Sequence, residues 1–397
     1  MENIHAKTAA ILPDNLNVYY AQTGRTAPHP TAQAGRTAPH QLITMAFYSP
    51  NLKKFEPLPQ PVQISDWCGG LLIRSTNWLG DALMTLPAVG QIRKVVPQDV
   101  PLSILTPKNL APMWKACPFI TDVIPMDGKH ISADEIATVK SHDFGAAVVF
   151  PNSFGSAMDI RKTAIPIRIG RKGRFRGLLL THRLREWPRG ENVGVCHQLS
   201  YYLELASMLG AVEWTADCEP LQVDLSLAEE LGMDDGRWLV LAPGAAYGPA
   251  KQWPPSYFDT VAKHFSANGW RIAVVGGPND RTAAEQSCAS VPNALNVAGK
   301  TNLAQLMAVL AKATVVISND SGPMHLAAAL GKTGVALFGS TDPIGTGPIG
   351  GHWIIMASDA PCRPCFKREC PLGGAEAYKC LCGLSVESVI NAVETLG

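Results

Sequence analysis

Residues 318–330 read Ser-Asn-Asp-Ser-Gly-Pro-Met-His-Leu-Ala-Ala-Ala-Leu, a composition suited to holding an anion. The β-branched run Thr314-Val315-Val316-Ile317-Ser318 reads as a strand, and His325 with the alanines after it reads as a helix. The strand therefore hands over to the helix at Asn319-Asp320-Ser321-Gly322. At such a junction the N–H groups of the first helical turn point outward at the positive end of the helix dipole, which favours phosphate. Asp320, Ser321 and His325 would stand around that anion. A plain N-cap role for Asp320 or Ser321 accounts for the same residues, and this stretch alone leaves both readings open.

The elements that must position these residues alternate from Trp67 onward. Apolar runs at 71–73, 102–105 and 147–150 read as parallel strands of one sheet, and those at 239–241, 272–275, 315–317 and 335–338 as strands of another. Amphipathic stretches at 82–95, 197–209 and 385–396 read as helices. The fold class is thus α/β, with two units in series, 66–222 and 223–397, joined near 219–226. Residues 1–65 differ: Gly24-Arg25-Thr26-Ala27-Pro28-His29 recurs at 35–40, and four prolines fall between 50 and 61. Two polar copies are too few to stack as a solenoid, so 1–65 is expected to be a disordered extension.

Ligands of open α/β sheets bind beyond the carboxyl ends of the strands. The first strand is followed by Asn77-Trp78-Leu79-Gly80-Asp81, and Asp81 could take a proton from a substrate hydroxyl or merely cap a helix. Pro243-Gly244-Ala245 through Lys251 follows the first strand of the second unit; small residues let the backbone approach a ligand, and Lys251 is a point charge suited to a diphosphate. A third strand ends in Gly276-Gly277-Pro278-Asn279-Asp280, where Asp280 could reach a ribose hydroxyl.

Other patterns fail in context. Gly345-Thr346-Gly347-Pro348-Ile349-Gly350 matches a dinucleotide fingerprint, but no strand leads into it and Pro348 opposes a helix start, so it is read as a loop. Gly331-Lys332-Thr333 lacks the first glycine of a P-loop, and no Asp-x-Asp is present to hold a metal-bound diphosphate. Cys362, Cys365, Cys370, Cys380 and Cys382 could bind a structural zinc. They do not form two C-x-x-C knuckles, so reduced packed or surface thiols are preferred and no metal or cofactor is assigned.

The 397 residues carry a formal net charge of +1, which argues against a nucleic-acid binder driven by bulk charge. There is no apolar run of the roughly 18 residues needed to span a bilayer and no signal peptide, so a soluble cytoplasmic protein is expected. Arginines and lysines nevertheless crowd 161–189, with Asp159 and Glu186 the nearby acids. Either a solvated face or a site for an anionic partner accounts for them; the glycines and Phe175 in their midst favour the latter.

Together, Asn77–Asp81, Pro151-Asn152-Ser153-Phe154 with Ser156-Ala157, Pro243–Lys251 with Trp253-Pro254, and Asn319–Gly322 with Met324-His325 resemble the ADP-heptose:lipopolysaccharide heptosyltransferases, in order and spacing, over residues 68–396. The second and third segments look more like the heptosyltransferase II branch than heptosyltransferase I. The resemblance implies a GT-B fold, two Rossmann-like domains facing across a cleft, with the acceptor on the first and ADP-heptose on the second. It implies inverting, metal-independent transfer of heptose to the first heptose of the inner core. Asp81 would be the general base, and Lys251 would neutralise the leaving diphosphate. Gly244, Ala245, Asp280, Asp320, Ser321, Gly322 and His325 would hold the donor; Asn77, Asn152, Ser153, Arg171, Arg174 and Arg176 would face the acceptor. The partners would be ADP-heptose and the lipid A–inner core acceptor, with peripheral association at the cytoplasmic face of the inner membrane of a Gram-negative bacterium. Transfer to Kdo2-lipid A, as by heptosyltransferase I, is the alternative within the class. An epimerase would need a dinucleotide fingerprint after the first strand, which 74–81 lacks, and a non-catalytic nucleotide binder would tolerate loss of Asp81.

Overall fold

In the computed structural model, which describes residues 47–173, 175–186 and 196–397, twelve short strands form two parallel sheets. The first holds β1 (Leu71–Arg74), β2 (Leu102–Pro107), β3 (Asp122–Met126), β4 (Ala146–Val149), β5 (Ile167–Arg171) and β6 (His182–Leu184) in the order β3-β2-β1-β4-β5-β6. The second holds β7 (Trp238–Ala242), β8 (Arg271–Val274), β9 (Leu295–Asn296), β10 (Val315–Asn319), β11 (Gly334–Phe338) and β12 (Trp353–Ala357) in the order β12-β11-β10-β7-β8-β9. β1 and β7 are buried along their whole length. That explains why they read as continuous rather than alternating apolar runs.

In each sheet the strand order reverses at one place, between β1 and β4 and between β7 and β10. A crevice opens beyond the carboxyl ends at such a reversal, because the connections on its two sides run to opposite faces. The segments holding Asp81, Asn152, Lys251 and Asp320 all leave these four strands. Strands β3, β5, β6, β9 and β12 lie beyond those the sequence points to: Pro125, the arginines of β5 and β6, and the two-residue length of β9 hide the apolar pattern of four of them, whereas β12 is apolar throughout.

The helix expected over 82–95 is two helices, Leu79–Leu83 and Leu86–Val95. Pro87 falls in the first turn of the second, where its missing N–H costs no intrahelical bond. The expectation of disorder through residue 65 is corrected for 47–65. There Phe47 bridges to Ile354, the Tyr48 N–H donates to Trp353 O at 2.8 Å, and the Val62 N–H donates to Met208 O at 2.8 Å. Phe55 is buried. Burial of Phe55 and these backbone bonds to Met208 and Trp353 work against the entropy of ordering the segment. The repeat at 24–40 lies outside the described residues.

Candidate active site

The two lobes meet where two short helices cross, Leu79–Leu83 of the first and Gly322–Ala329 of the second. Glycine at both crossing positions permits the approach. A Cβ on Gly80 would lie 3.1 Å from His325 Cδ2, and one on Gly322 would lie 3.2 Å from Leu79 Cδ2. Asp81 is in the first turn of its helix, half-buried. Burial raises its carboxyl pKa, while a 3.3 Å hydrogen bond from Gln198 Nε2 and the charge of Lys251 act the other way.

Across the junction, Lys251 Nζ meets Asp320 Oδ2 at 2.6 Å, with the two side chains 13% and 3% exposed. Thr341 Oγ1 donates to the same oxygen at 2.6 Å. Lys251 also lies 5.0 Å from the centre of the Tyr247 ring. An ammonium has three protons, so the bond to Asp320 leaves donors for a phosphate. Ser321 occupies the N-cap position of Gly322–Ala329 without capping it through its side chain, and its hydroxyl lies 3.4 Å from that of Ser318. Pro323 has no N–H, so the first turn presents the N–H groups of Gly322 and Met324. His325 is buried, and desolvation lowers its pKa to about 4, the nearby carboxylate of Asp320 notwithstanding. It is therefore a neutral imidazole at physiological pH.

Asn319 clips the loop after β7 to β10. Its amide donates to Pro243 O at 2.7 Å and accepts from the Trp253 N–H at 3.0 Å. Gly244 and Ala245 are buried in that loop. The Asp280 carboxylate accepts from the Gly277 N–H at 2.8 Å and lies so close to Gly244 that a Cβ there would overlap it. Hence Asp280 sits against the Gly244 turn.

Of the acceptor-side expectations, Asn77 accepts from Arg74 Nη2 at 2.8 Å, Asn152 is exposed, and Ser153 caps the helix Phe154–Lys162 by accepting from the Ser156 N–H. Arg171 and Arg176 are corrected. Arg171 is 1% exposed and pairs with Glu204 Oε2 at 2.6 Å, under the Tyr201 ring. Arg176 is fully buried and donates to the carbonyls of Arg171 and Pro151. Both guanidinium groups are held by interior partners, which is what a buried charge requires, and neither is open to solvent. Arg174 lies outside the described residues.

The cysteine-bearing segment packs on the loops after β7 and β11. Arg363 donates to Gly339 O at 2.6 Å and Thr341 O at 3.1 Å, the Phe366 N–H donates to Ser340 O at 2.8 Å, and the Ala250 N–H donates to Arg368 O at 3.0 Å. The five cysteines are free thiols. Burial, and the neighbouring Cys362, Cys365 and Cys370, push the Cys380 thiol up to about 11. Among the described residues no three His, Cys, Asp or Glu side chains are grouped to hold a metal ion.

Sequence reasoning gave no role to Gln198, His197 or Thr341. Thr341 follows β11 and could have been found by reading past that strand as well. Nothing at the sequence level brings 197–198 to Asp81.

The family model for glycosyltransferase family 9 (heptosyltransferase) matches residues 136–376. Lipopolysaccharide heptosyltransferase 2 of Salmonella typhimurium and that of Escherichia coli K12 are each 29% identical over 306 residues, covering 70% of this chain and 85% of theirs. The structure of E. coli ADP-heptose lps heptosyltransferase II superposes with a TM-score of 0.69 at 24% identity, over 82% of this chain and 98% of that one. The expected GT-B architecture is that of these neighbours.

Proposed function

The chain belongs to glycosyltransferase family 9, the heptosyltransferase family, and we propose that it transfers heptose from ADP-heptose to the first heptose of the lipopolysaccharide inner core. The observation that carries this reading is the meeting of Asp81 with Lys251, Asp320 and the Gly322–Ala329 N-terminus across the lobe junction. The second-heptose step is favoured by the 29% identity to lipopolysaccharide heptosyltransferase 2.

In this mechanism the acceptor hydroxyl oxygen attacks the anomeric carbon from the Asp81 side. Asp81 takes the hydroxyl proton, and the bond between the anomeric carbon and the diphosphate oxygen breaks with inversion. The departing ADP carries the developing charge. Lys251 and the N–H groups of Gly322 and Met324 stabilise it, so that the charge a metal would otherwise supply comes from the chain itself. Neutral His325 can donate a hydrogen bond without adding to the repulsion felt by Lys251. Asp280, beside the Gly244 turn, is the ribose contact in this reading.

Association with an anionic membrane surface completes the proposal, at the cytoplasmic face of the inner membrane of a Gram-negative bacterium. Phe175 and Leu178 are 94% and 89% exposed, and Lys172, Arg183 and Arg185 around them are exposed as well. Exposed apolar side chains flanked by cations suit a lipid interface. Among the described residues no helix is long and apolar enough to cross a membrane.

The test is an assay of the purified enzyme with ADP-heptose and acceptors carrying zero or one heptose. Turnover on the one-heptose acceptor is expected. Turnover on the heptose-free acceptor alone would overturn the assignment of the step, and full turnover by Asp81→Asn would overturn the mechanism.

A further inference from the structure

Asp81 is steered by a residue from a different element. Gln198 stands at the N-terminus of the helix Leu199–Ser207, and its Nε2 donates to Asp81 Oδ1 at 3.3 Å and to Tyr202 Oη at 2.8 Å. A carboxylate only accepts, so the amide must turn its NH2 toward Asp81. Tyr202, one turn along the helix and buried, accepts the other N–H and holds the amide in place.

The segment carrying Gln198 is itself tied to the second lobe. The Gln198 backbone N–H donates to Gly345 O at 2.9 Å. The ring of His197 lies within 3.0 Å of Gly347 O through Nε2, while its Nδ1 accepts from the Leu199 N–H at 3.1 Å. A carbonyl can only accept and a backbone N–H can only donate, so these two bonds define one neutral tautomer with the proton on Nε2. Both ties cross the lobe boundary a few residues from the base.

We propose that Gln198 is a positioning residue for Asp81: its amide holds Oδ1, directs Oδ2 to the acceptor hydroxyl, and does so only while residues 197–198 are docked on residues 345–347 of the donor lobe. The proposal rests on the reading of Asp81 as the general base. It makes the base's alignment depend on the lobe contact that also brings the donor to it. A glutamine suits this role because it donates without carrying charge, so the carboxylate keeps enough basicity to take a proton. The other charged or titratable groups around Asp81 are Lys251 from the second lobe, Tyr202 from the same helix as Gln198, and His325 on the far side of Gly80.

The experiment measures kcat and KM against pH for the full chain and for Gln198→Leu, Gln198→Glu, Tyr202→Phe and Asp81→Asn. Loss of a hydrogen bond to a charged group predicts a fall in kcat of roughly tenfold or more for Gln198→Leu, with the acid limb of the kcat profile moved up by about one pH unit. KM for ADP-heptose should change little. Gln198→Glu, which sets a second carboxylate beside the first, should move the limb further in the same direction. Tyr202→Phe, which removes only the oxygen that orients the amide, should give a smaller shift of the same sign and serves if Gln198→Leu does not fold. An unmoved acid limb in folded Gln198→Leu, with Asp81→Asn inactive, overturns the proposal alone. Retained turnover in Asp81→Asn overturns the base assignment on which it rests.

Discussion

Two buried histidines at the lobe junction should make the stability of this protein fall steeply in mild acid. Desolvation lowers the pKa of both His197 and His325 to about 4, against about 6.5 in an unfolded chain. The sign follows from proton counting. Between these two values the unfolded state binds the proton and the folded state does not, so unfolding takes up protons and stability is lost as pH falls. Above about 6.5 the contribution is complete; below about 4 both states are protonated and no more is lost. A shift of this size corresponds to on the order of 3 kcal/mol for each ring, lost between pH 6.5 and 4. Asp81 opposes the trend near its own titration, because its raised pKa lets the folded state take up a proton as pH falls.

The assay is urea unfolding at a series of pH values from 7.5 to 4.5, with His197→Gln beside the wild type. Glutamine can donate to Gly347 O and accept from the Leu199 N–H as His197 does, yet it does not titrate. The variant should retain most of its stability at pH 7.5 and lose stability about half as steeply on acidification. A wild-type profile flat from pH 7 to 5, or an unchanged slope in His197→Gln, would refute the argument.

Further outcomes are expected at the donor side and the surface. Lys251→Met leaves Asp320 buried without its cation and should cost about 3 kcal/mol of stability together with most of the turnover, whereas Lys251→Arg should lose less; thermal unfolding and steady-state kinetics would check both. Gly244→Ala should push the Asp280 carboxylate off the Gly277 N–H and weaken ADP binding roughly tenfold by calorimetric titration. The double variant Phe175→Ser with Leu178→Ser should bind anionic phospholipid vesicles roughly tenfold or more weakly than wild type in a flotation assay, and equal binding would remove these residues from the membrane contact.

Neither the burial of the arginines nor the interlobe ties has a pattern along the chain. Arg171 and Arg176 stand in a basic run that reads as an anion site, but a charge count along the chain does not show which side chains fold inward onto Glu204 and backbone carbonyls. Residues 47–65 look unstructured because their apolar residues have no period; Tyr48 and Val62 are fixed by hydrogen bonds to residues far along the chain, Trp353, Pro343 and Met208.

What the sequence by itself determined was local: which apolar runs become parallel strands, where each strand ends, and that Asp81, Lys251, Asp280 and Asp320 follow those ends. Strand and helix patterns arise from neighbours a few residues apart, so they can be read along the chain. The tertiary structure decided which of these residues face one another. Gly80 against His325, Lys251 on Asp320, and Gln198 between Asp81 and the Gly345 carbonyl join positions 69 to 245 residues apart. Such contacts depend on how two separately formed sheets pack and on burial that shifts proton affinities, neither of which has a spacing in the sequence.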